Sequence, residues 1–318
     1  MKNIIEFDTV SKIYQEHQVL TDFNLAIREG EIFALVGSSG SGKTTSLKMI
    51  NSLINPSSGQ IRFEGKDIKD YDLQKLRWQI GYVLQQIALF PTMTVQENIA
   101  VIPEMLGWSK KKIREESEQL LAKVNLNPDE YLSRYPRELS GGEQQRIGIL
   151  RALIAKPKLV LMDEPFSALD PLSRTALQDL VLELHKDLET TIIFVTHDMK
   201  EAIKLGDRIG VMNKGNLEQV GSPEEIVNHP ATSFVKNIFQ DKEDIKTVGN
   251  LVEAGYISKV PAGDESLVSL KTTTSLDQLY NILTEEEVVE IRNQVNQPLG
   301  LVNRVDVLNY LAHKNKKD

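Results

Sequence analysis

The chain contains no cysteine, which excludes a disulfide framework or a thiolate metal site and is compatible with a reducing compartment. Basic residues do not predominate. The net charge is −8, and with no basic segment to pair with a phosphate backbone, nucleic acid is not an expected partner. Long apolar runs are missing too, the strongest stretches such as Lys158 to Met162 being only strand-sized, so no segment reads as a membrane-spanning helix. The opening Met1-Lys2-Asn3-Ile4-Ile5-Glu6 lacks the apolar stretch of a signal peptide. Any role in transport would then need a path through the membrane supplied by another protein. Low-complexity tracts and internal repeats are also absent. What remains is ordinary for a globular protein, at 41% hydrophobic and 26% charged. At 318 residues the chain can hold two domains, or one large domain with an appendage, and a domain of over ~200 residues builds its core without covalent staples.

Residues 4–10 and 19–27 are patterned as strands around a polar turn, Gln15 to Gln18. Glu31 to Val36 reads as a fully buried strand, followed at once by a glycine-rich loop. Thr44 to Ile54 then spaces Leu47, Ile50 and Ile54 as a helix does. Gly59 to Ile68 predicts a short β excursion turning at Gly65, and residues 109–124 predict a solvated amphipathic helix. Lys158 to Met162 and Thr191 to Thr196 are two more buried strands, with a leucine-spaced helix from Pro171 to Leu188 between them. Short strands around Asn213-Lys214-Gly215-Asn216 follow. Alternating strands and helices predict an α/β fold, a parallel sheet covered on both faces.

Gly37-Ser38-Ser39-Gly40-Ser41-Gly42-Lys43-Thr44 fits Gly-x-x-x-x-Gly-Lys-Ser/Thr between a predicted strand and helix, the setting in which such a loop wraps nucleotide phosphates. Its glycines let backbone N–H groups converge on phosphate oxygens, and the helix N-terminus adds positive partial charge. Lys43 is expected to neutralise the β- and γ-phosphates and Thr44 to hold Mg²⁺, with Thr45 also among the nucleotide-binding residues. Leu159-Val160-Leu161-Met162-Asp163-Glu164 ends an apolar strand in two carboxylates where such sheets do nucleotide chemistry. Asp163 is the expected Mg²⁺ ligand, and Glu164 the group that orients and polarises the attacking water. Singly, these segments read as a glycine turn and a solvated strand end; together they predict a nucleotide-phosphate site, with a P-loop kinase or small GTPase still open as alternatives.

Leu139-Ser140-Gly141-Gly142-Glu143-Gln144-Gln145-Arg146 adds a third element. A lone Ser-Gly-Gly only opens a helix, but here it precedes the acidic strand, and the whole resembles the signature motif of ATP-binding cassette (ABC) proteins. The resemblance runs from residue 1 to about residue 240 with the motifs in order. It implies a P-loop ABC ATPase domain, a mainly parallel sheet with an antiparallel β subdomain and a helical subdomain. It implies that Ser140, Gly141, Gly142 and Gln144 meet the nucleotide held by the opposite subunit of a homodimer. Tyr14 stands where the family stacks an aromatic on adenine; the alternative is a half-exposed strand tyrosine. Gln85, in Val83-Leu84-Gln85-Gln86, resembles the glutamine that senses Mg²⁺ and the transmembrane partner, with Gln86 the alternative one position on. Ser167-Ala168-Leu169-Asp170 resembles the D-loop crossing the dimer interface, and His197 the switch histidine at the γ-phosphate.

Ile87 to Ile99 and Glu164-Pro165-Phe166-Ser167 resemble importer ATPases, and Gly81-Tyr82 with Leu84 to Ile87 is similar to those serving glycine betaine, carnitine and choline. The resemblance implies separate permease subunits, an extracellular solute-binding protein or domain, and a place on the cytoplasmic face of the membrane. Alternatives are an importer ATPase for another small solute such as an amino acid, or a soluble ABC ATPase outside transport. The expected division is residues 1–240 as the nucleotide-binding domain, 241–250 as a charged linker, and 251–318 as a small α+β tail. Within that tail, a helix at Thr272 to Leu283, a strand at Val288 to Val295, a turn and strand at Gln297 to Val302 and a helix at Val305 to Ala312 resemble one degenerate cystathionine-β-synthase (CBS) repeat. A packing appendage is the plainer reading. The acidic run Glu285-Glu286-Glu287 and the basic cluster of Lys314, Lys316 and Lys317 are candidate regulatory features, the latter toward anionic lipid.

Overall fold

The computed structural model describes residues 2–85, 88–167, 169–239, 248–258, 267–274, 276–284, 286–293 and 297–314. Gln86, Ala168, the segment Gln240–Lys246, Glu285, Lys316 and Lys317 therefore lie outside the described residues. The chain divides into two compact units, Met1–Phe239 and Gln240–Asp318.

The first unit holds two sheets. Strands β1 (Asn3–Tyr14), β2 (His17–Arg28), β4 (Ser58–Phe63) and β5 (Lys66–Asp67) form an antiparallel sheet in the order β2-β1-β4-β5. Register shifts along β1 at Phe7/Val10 and Val10/Lys12 bend this long strand as bulges do. The second sheet has the order β10-β9-β3-β8-β7-β6. It consists of β3 (Ile32–Gly37), β6 (Ile80–Val83), β7 (Leu159–Asp163), β8 (Thr191–Thr196), β9 (Arg208–Asn213) and β10 (Asn216–Gly221), parallel except at β9–β10. Every residue of β3, β7 and β8 is buried, which is why those segments read as continuous apolar runs without alternation.

Helix α1 (Lys43–Ile50) covers one face of the parallel sheet, where Leu47, Met49 and Ile50 join the antiparallel sheet in a core with Phe33, Leu161 and Val195. Short α2 (Leu73–Trp78) follows β5. The opposite core gathers residues of α3 (Val95–Met105), α4 (Lys110–Lys123), α6 (Gly141–Leu153), α7 (Pro171–Leu188), α8 (Met199–Leu205), α9 (Pro223–Asn228) and α10 (Ser233–Phe239) around Ile32, Val160 and Phe194. A one-turn α5 (Pro128–Tyr131) links α4 to the signature segment. The sequence reading did not resolve α3. Its start is nonetheless marked by a capping box, Thr94 accepting from the Glu97 N–H and Glu97 reaching back.

The second unit contains α11 (Val248–Glu253), β11 (Ser269–Lys271), α12 (Leu276–Ile282), β12 (Val288–Arg292), β13 (Pro298–Asn303) and α13 (Arg304–Lys314). Its strands run in the order β11-β12-β13, with β11–β12 parallel and β12–β13 antiparallel. Leu251, Leu279, Val289, Ile291, Val302 and Val307 form its core. Three details differ from the sequence reading. Val248 is fully buried in α11 and not part of a linker. The helix expected from Thr272 starts at Leu276 because the stretch before it is β11 and a turn. The strand expected to reach Val295 ends at Arg292.

Candidate active site

The loop from Gly37 to Gly42 bridges β3 and α1. Gly37 has φ 150° and its missing Cβ would lie 2.1 Å from the Met212 carbonyl oxygen, so no other residue fits there. Gly42 caps α1 at φ 100° without a side-chain bond. The first N–H groups of α1 are thus left for an anion, with the helix dipole behind them. Ser41 Oγ is buried and has no hydrogen-bond partner among the described residues. Lys43, 6% exposed, folds back over the loop, Nζ donating to the Gly37 carbonyl at 2.8 Å and the Ser38 carbonyl at 3.0 Å. Burial holds its pKa below the usual lysine range, while the charges of Glu164 and Asp163 pull the other way.

Asp163 ends β7 beside this loop, and Thr44 Oγ1 donates to its Oδ1 at 2.8 Å. Burial pushes the Asp163 carboxyl up; the Thr44 bond is the largest opposing influence. Glu164 turns the chain at φ 45°, a left-handed conformation uncommon for a glutamate. That turn brings its side chain out over the end of the sheet. There Oε2 accepts from Gln85 Nε2 at 3.3 Å and from His197 Nδ1 at 3.1 Å. Gln85 follows β6, Glu164 follows β7 and His197 follows β8, so three neighbouring parallel strands bring these side chains together, the outer two meeting on one Glu164 oxygen.

Other expected site residues lie apart from this cluster. Ser140 caps α6 in a capping box with Glu143, and Gln144 Nε2 donates to the Leu139 carbonyl at 3.1 Å. Among the described residues no hydrogen bond or ion pair joins Ser140, Gly141, Gly142 or Gln144 to the segment Gly37–Thr45. Asp170 caps α7, accepting from the Leu172 and Ser173 N–H groups. Tyr14, at the end of β1, is 41% exposed with Lys12 Nζ 4.7 Å from its ring centroid.

Comparison with known proteins accounts for this arrangement. Residues 20–167 match the ABC transporter family. The chain is 44% identical over 292 residues to the glycine betaine/carnitine/choline transport ATP-binding protein OpuCA of Bacillus subtilis, covering 90% of this chain and 74% of that protein. The chain belongs to the ABC transporter family. It is also 39% identical over 307 residues to the Escherichia coli glycine betaine uptake system ATP-binding protein YehX, covering 96% of this chain and 99% of that protein. Among solved structures, the dimeric ABC transporter cassette MJ0796 is similar at TM-score 0.62 and 32% identity, covering 69% of this chain and 98% of that one. The cassette cbiO1 of Clostridium perfringens, part of the transporter complex cbiONQ, reaches TM-score 0.66 at 28% identity, covering 77% and 94%.

Several supports of this cassette's site carry no motif that sequence reasoning could use. Gln145 Nε2 donates to the Pro165 carbonyl at 2.8 Å in a buried contact, tying α6 to the turn after Glu164. The Tyr131 hydroxyl donates to Glu143, which also serves the α6 cap. An apolar groove of about 460 Å³ lies along β6, lined by Trp78, Tyr82, Leu84, Phe90, Ile102 and Arg151.

Proposed function

We propose that this cassette is the ATP-hydrolysing subunit of an importer for a quaternary ammonium osmoprotectant such as glycine betaine, carnitine or choline. It works at the cytoplasmic face of the membrane beneath separate permease subunits that receive solute from an extracellular binding protein or domain. The convergence of Gln85 and His197 on Glu164 Oε2, beside the phosphate loop, carries the hydrolytic reading. The transported class rests on relatives whose names specify those solutes. The apolar groove next to Gln85 supports a seat for a permease segment.

The residues fit Mg²⁺. Thr44 and Asp163 offer hard oxygens already in mutual contact, and this ion commonly takes one or two protein oxygens alongside phosphate and water. When bound, it would neutralise charge on the β- and γ-phosphates. Lys43 exchanges the Gly37 and Ser38 carbonyls for phosphate oxygens, and the free N–H groups of α1 orient them. Glu164 orients a water for in-line attack and accepts its proton. His197 Nδ1–H holds that carboxylate, leaving Nε2 free to face the γ-phosphate. Among the described residues the signature makes no hydrogen bond to its own loop, which supports Ser140, Gly141, Gly142 and Gln144 completing the site of a second copy, with Asp170 at that interface. ATP then joins two copies and hydrolysis releases them, turning phosphate chemistry into motion of the permease.

Proteoliposomes holding the chain with its permease subunits should accumulate radiolabelled glycine betaine only when ATP is inside. Lys43→Ala should abolish both uptake and hydrolysis. Near-normal hydrolysis by Lys43→Ala would sink the site, whereas uptake of an amino acid in preference to glycine betaine would sink the substrate class.

For the second unit we infer a regulatory role as a single CBS-like repeat. It has its own core and sheet, and every residue assigned to nucleotide chemistry lies between Tyr14 and His197. Truncation after Gln240 should leave ATPase activity intact and flatten its response to ionic strength. Loss of hydrolysis in a folded truncate would make the tail part of the engine.

A further inference from the structure

Arg174 lies on α7, four residues beyond the cap Asp170. Its Nη2 donates to the Leu169 carbonyl at 3.1 Å, inside the turn that ends at Asp170. Its other nitrogens face the start of α8, Nη1 at 3.9 Å from Asp198 Oδ2 and Nε at 3.9 Å from Glu201 Oε1. Those two carboxylates follow His197 directly, at the cap and in the first turn of α8. Asp198 caps α8, accepting from the Lys200 and Glu201 N–H groups, and its own N–H donates to Thr196 Oγ1. Glu201 is 5% exposed and accepts from that same Thr196 hydroxyl. One guanidinium therefore spans from the turn after Glu164 to the carboxylates of Asp198 and Glu201 just after His197, two residues that both bond Thr196 just before it.

The contact is incomplete in an informative way. Arg174 Nε is buried and has no hydrogen-bond partner among the described residues; its 3.9 Å gap to Glu201 is about 1 Å longer than an ordinary N–H···O bond. A buried donor left unpaired is unfavourable, and a charge-assisted bond to a buried carboxylate is strong. A small approach of α8 to α7 would close that bond.

We propose that Arg174 is a positioning residue that couples the Glu164–Asp170 turn to His197. A neighbouring copy pressing on that turn thereby sets the imidazole against Glu164. The coupling rests on the reading of Glu164 and His197 given above. Arginine suits the task because its planar fork serves several acceptors at once, which a lysine ammonium at the same place cannot do.

The test is a double-mutant cycle in the full chain, comparing Arg174→Met, His197→Ala and the pair by steady-state ATPase and nucleotide binding. Arg174→Met should lower kcat by about 10-fold while KM and nucleotide Kd stay within about 2-fold, since a misplaced group costs rate more than binding. In the His197→Ala background the same change should cost less than about 2-fold, because residues acting as a unit are not additive. Arg174→Lys, which keeps the cation, should still lose about 3-fold in kcat and decides the matter if Arg174→Met does not fold. Wild-type kcat in the arginine variants, or a full Arg174→Met loss repeated without His197, overturns the coupling. Wild-type turnover by His197→Ala would instead overturn the underlying site.

Discussion

Replacing Glu164 by glutamine alters the site at one functional group. Glu164 Oε2 is where Gln85 and His197 meet, at 3.3 and 3.1 Å. The change keeps size and neighbours but removes the charge and the basicity. General-base assistance contributes ~10²–10⁴-fold, equivalent to about 2.7–5.4 kcal/mol of barrier. Binding should respond in the opposite direction. Glu164 lies close enough to Lys43 and Asp163 to influence the ionisation of both, so removing its charge relieves repulsion toward an incoming triphosphate. The backbone gives no reason to unfold. The φ of 45° at Glu164 costs glutamine no less and no more than glutamate, and the N–H bond to the Val195 carbonyl at 3.0 Å remains. Tm should therefore stay within ~2 °C, less than a 1 kcal/mol loss would produce. Phosphate release at saturating Mg–ATP should fall by at least ~100-fold, and light scattering should find a stable dimer. Turnover within ~10-fold of the parent chain, or a monomer at saturating ATP, would refute the assignment of Glu164.

Tyr14→Ala should weaken ATP binding by about 5–150-fold, the 1–3 kcal/mol of one base–aromatic stack, and Tyr14→Phe should restore it; equal affinities by fluorescence titration would remove Tyr14 from the site. Ser140→Ala deletes the bond from the Glu143 N–H and should cost about 1 kcal/mol as a lost cap, read as a small fall in Tm. Ser140→Arg should add a block to dimerisation and turnover while leaving ATP binding by a single copy intact, and ATP-driven dimers of that variant would count against the two-copy site. Glu64 is held below the usual carboxylate range by Lys158 first, then Lys2. A depressed folded-state pKa adds stability that is complete above the usual carboxylate range and fades as pH falls through the depressed value. Glu64→Gln should therefore lower Tm at neutral pH and flatten the acid limb of a Tm–pH profile, and parallel profiles would contradict the sign.

The strands of the parallel sheet were legible because burial on both faces leaves nothing to alternate. Glu31 to Val36 and Thr191 to Thr196 fall almost residue for residue on β3 and β8. The helix α7 was equally plain, since Pro171 opens it and leucines recur on its core face. Where the reading fell short, the signal lay elsewhere than in hydrophobic period. Helix α3 announces itself by the Thr94–Glu97 box and runs on through Pro103, a residue that usually argues against a helix interior. In the second unit, β11 is three residues long, too short to show alternation. Its place is set by pairing with β12, a partner about 20 positions downstream that local pattern cannot see.

The site divides along the same line between local and non-local information. The phosphate loop was readable because its function is a backbone conformation, and conformation at Gly37 and Gly42 dictates residue type directly. Asp163 and Glu164 were readable because they end a strand whose neighbours all point their carboxyl ends the same way. Their division of labour is set by one backbone torsion. Asp163, last in the strand, stays against Thr44, while the left-handed turn at Glu164 swings the next side chain out to Gln85 and His197. No composition or spacing encodes that torsion, which comes with the Glu164 N–H pairing to Val195 of the adjacent strand. The links that would transmit force are less visible still. Gln145 reaches the Pro165 carbonyl and Arg174 the Leu169 carbonyl, both donating to backbone that could belong to any residue. An acceptor with no side-chain identity leaves no mark in the sequence, so only the fold reveals that the signature helix, the turn after Glu164 and the strand end at His197 are joined.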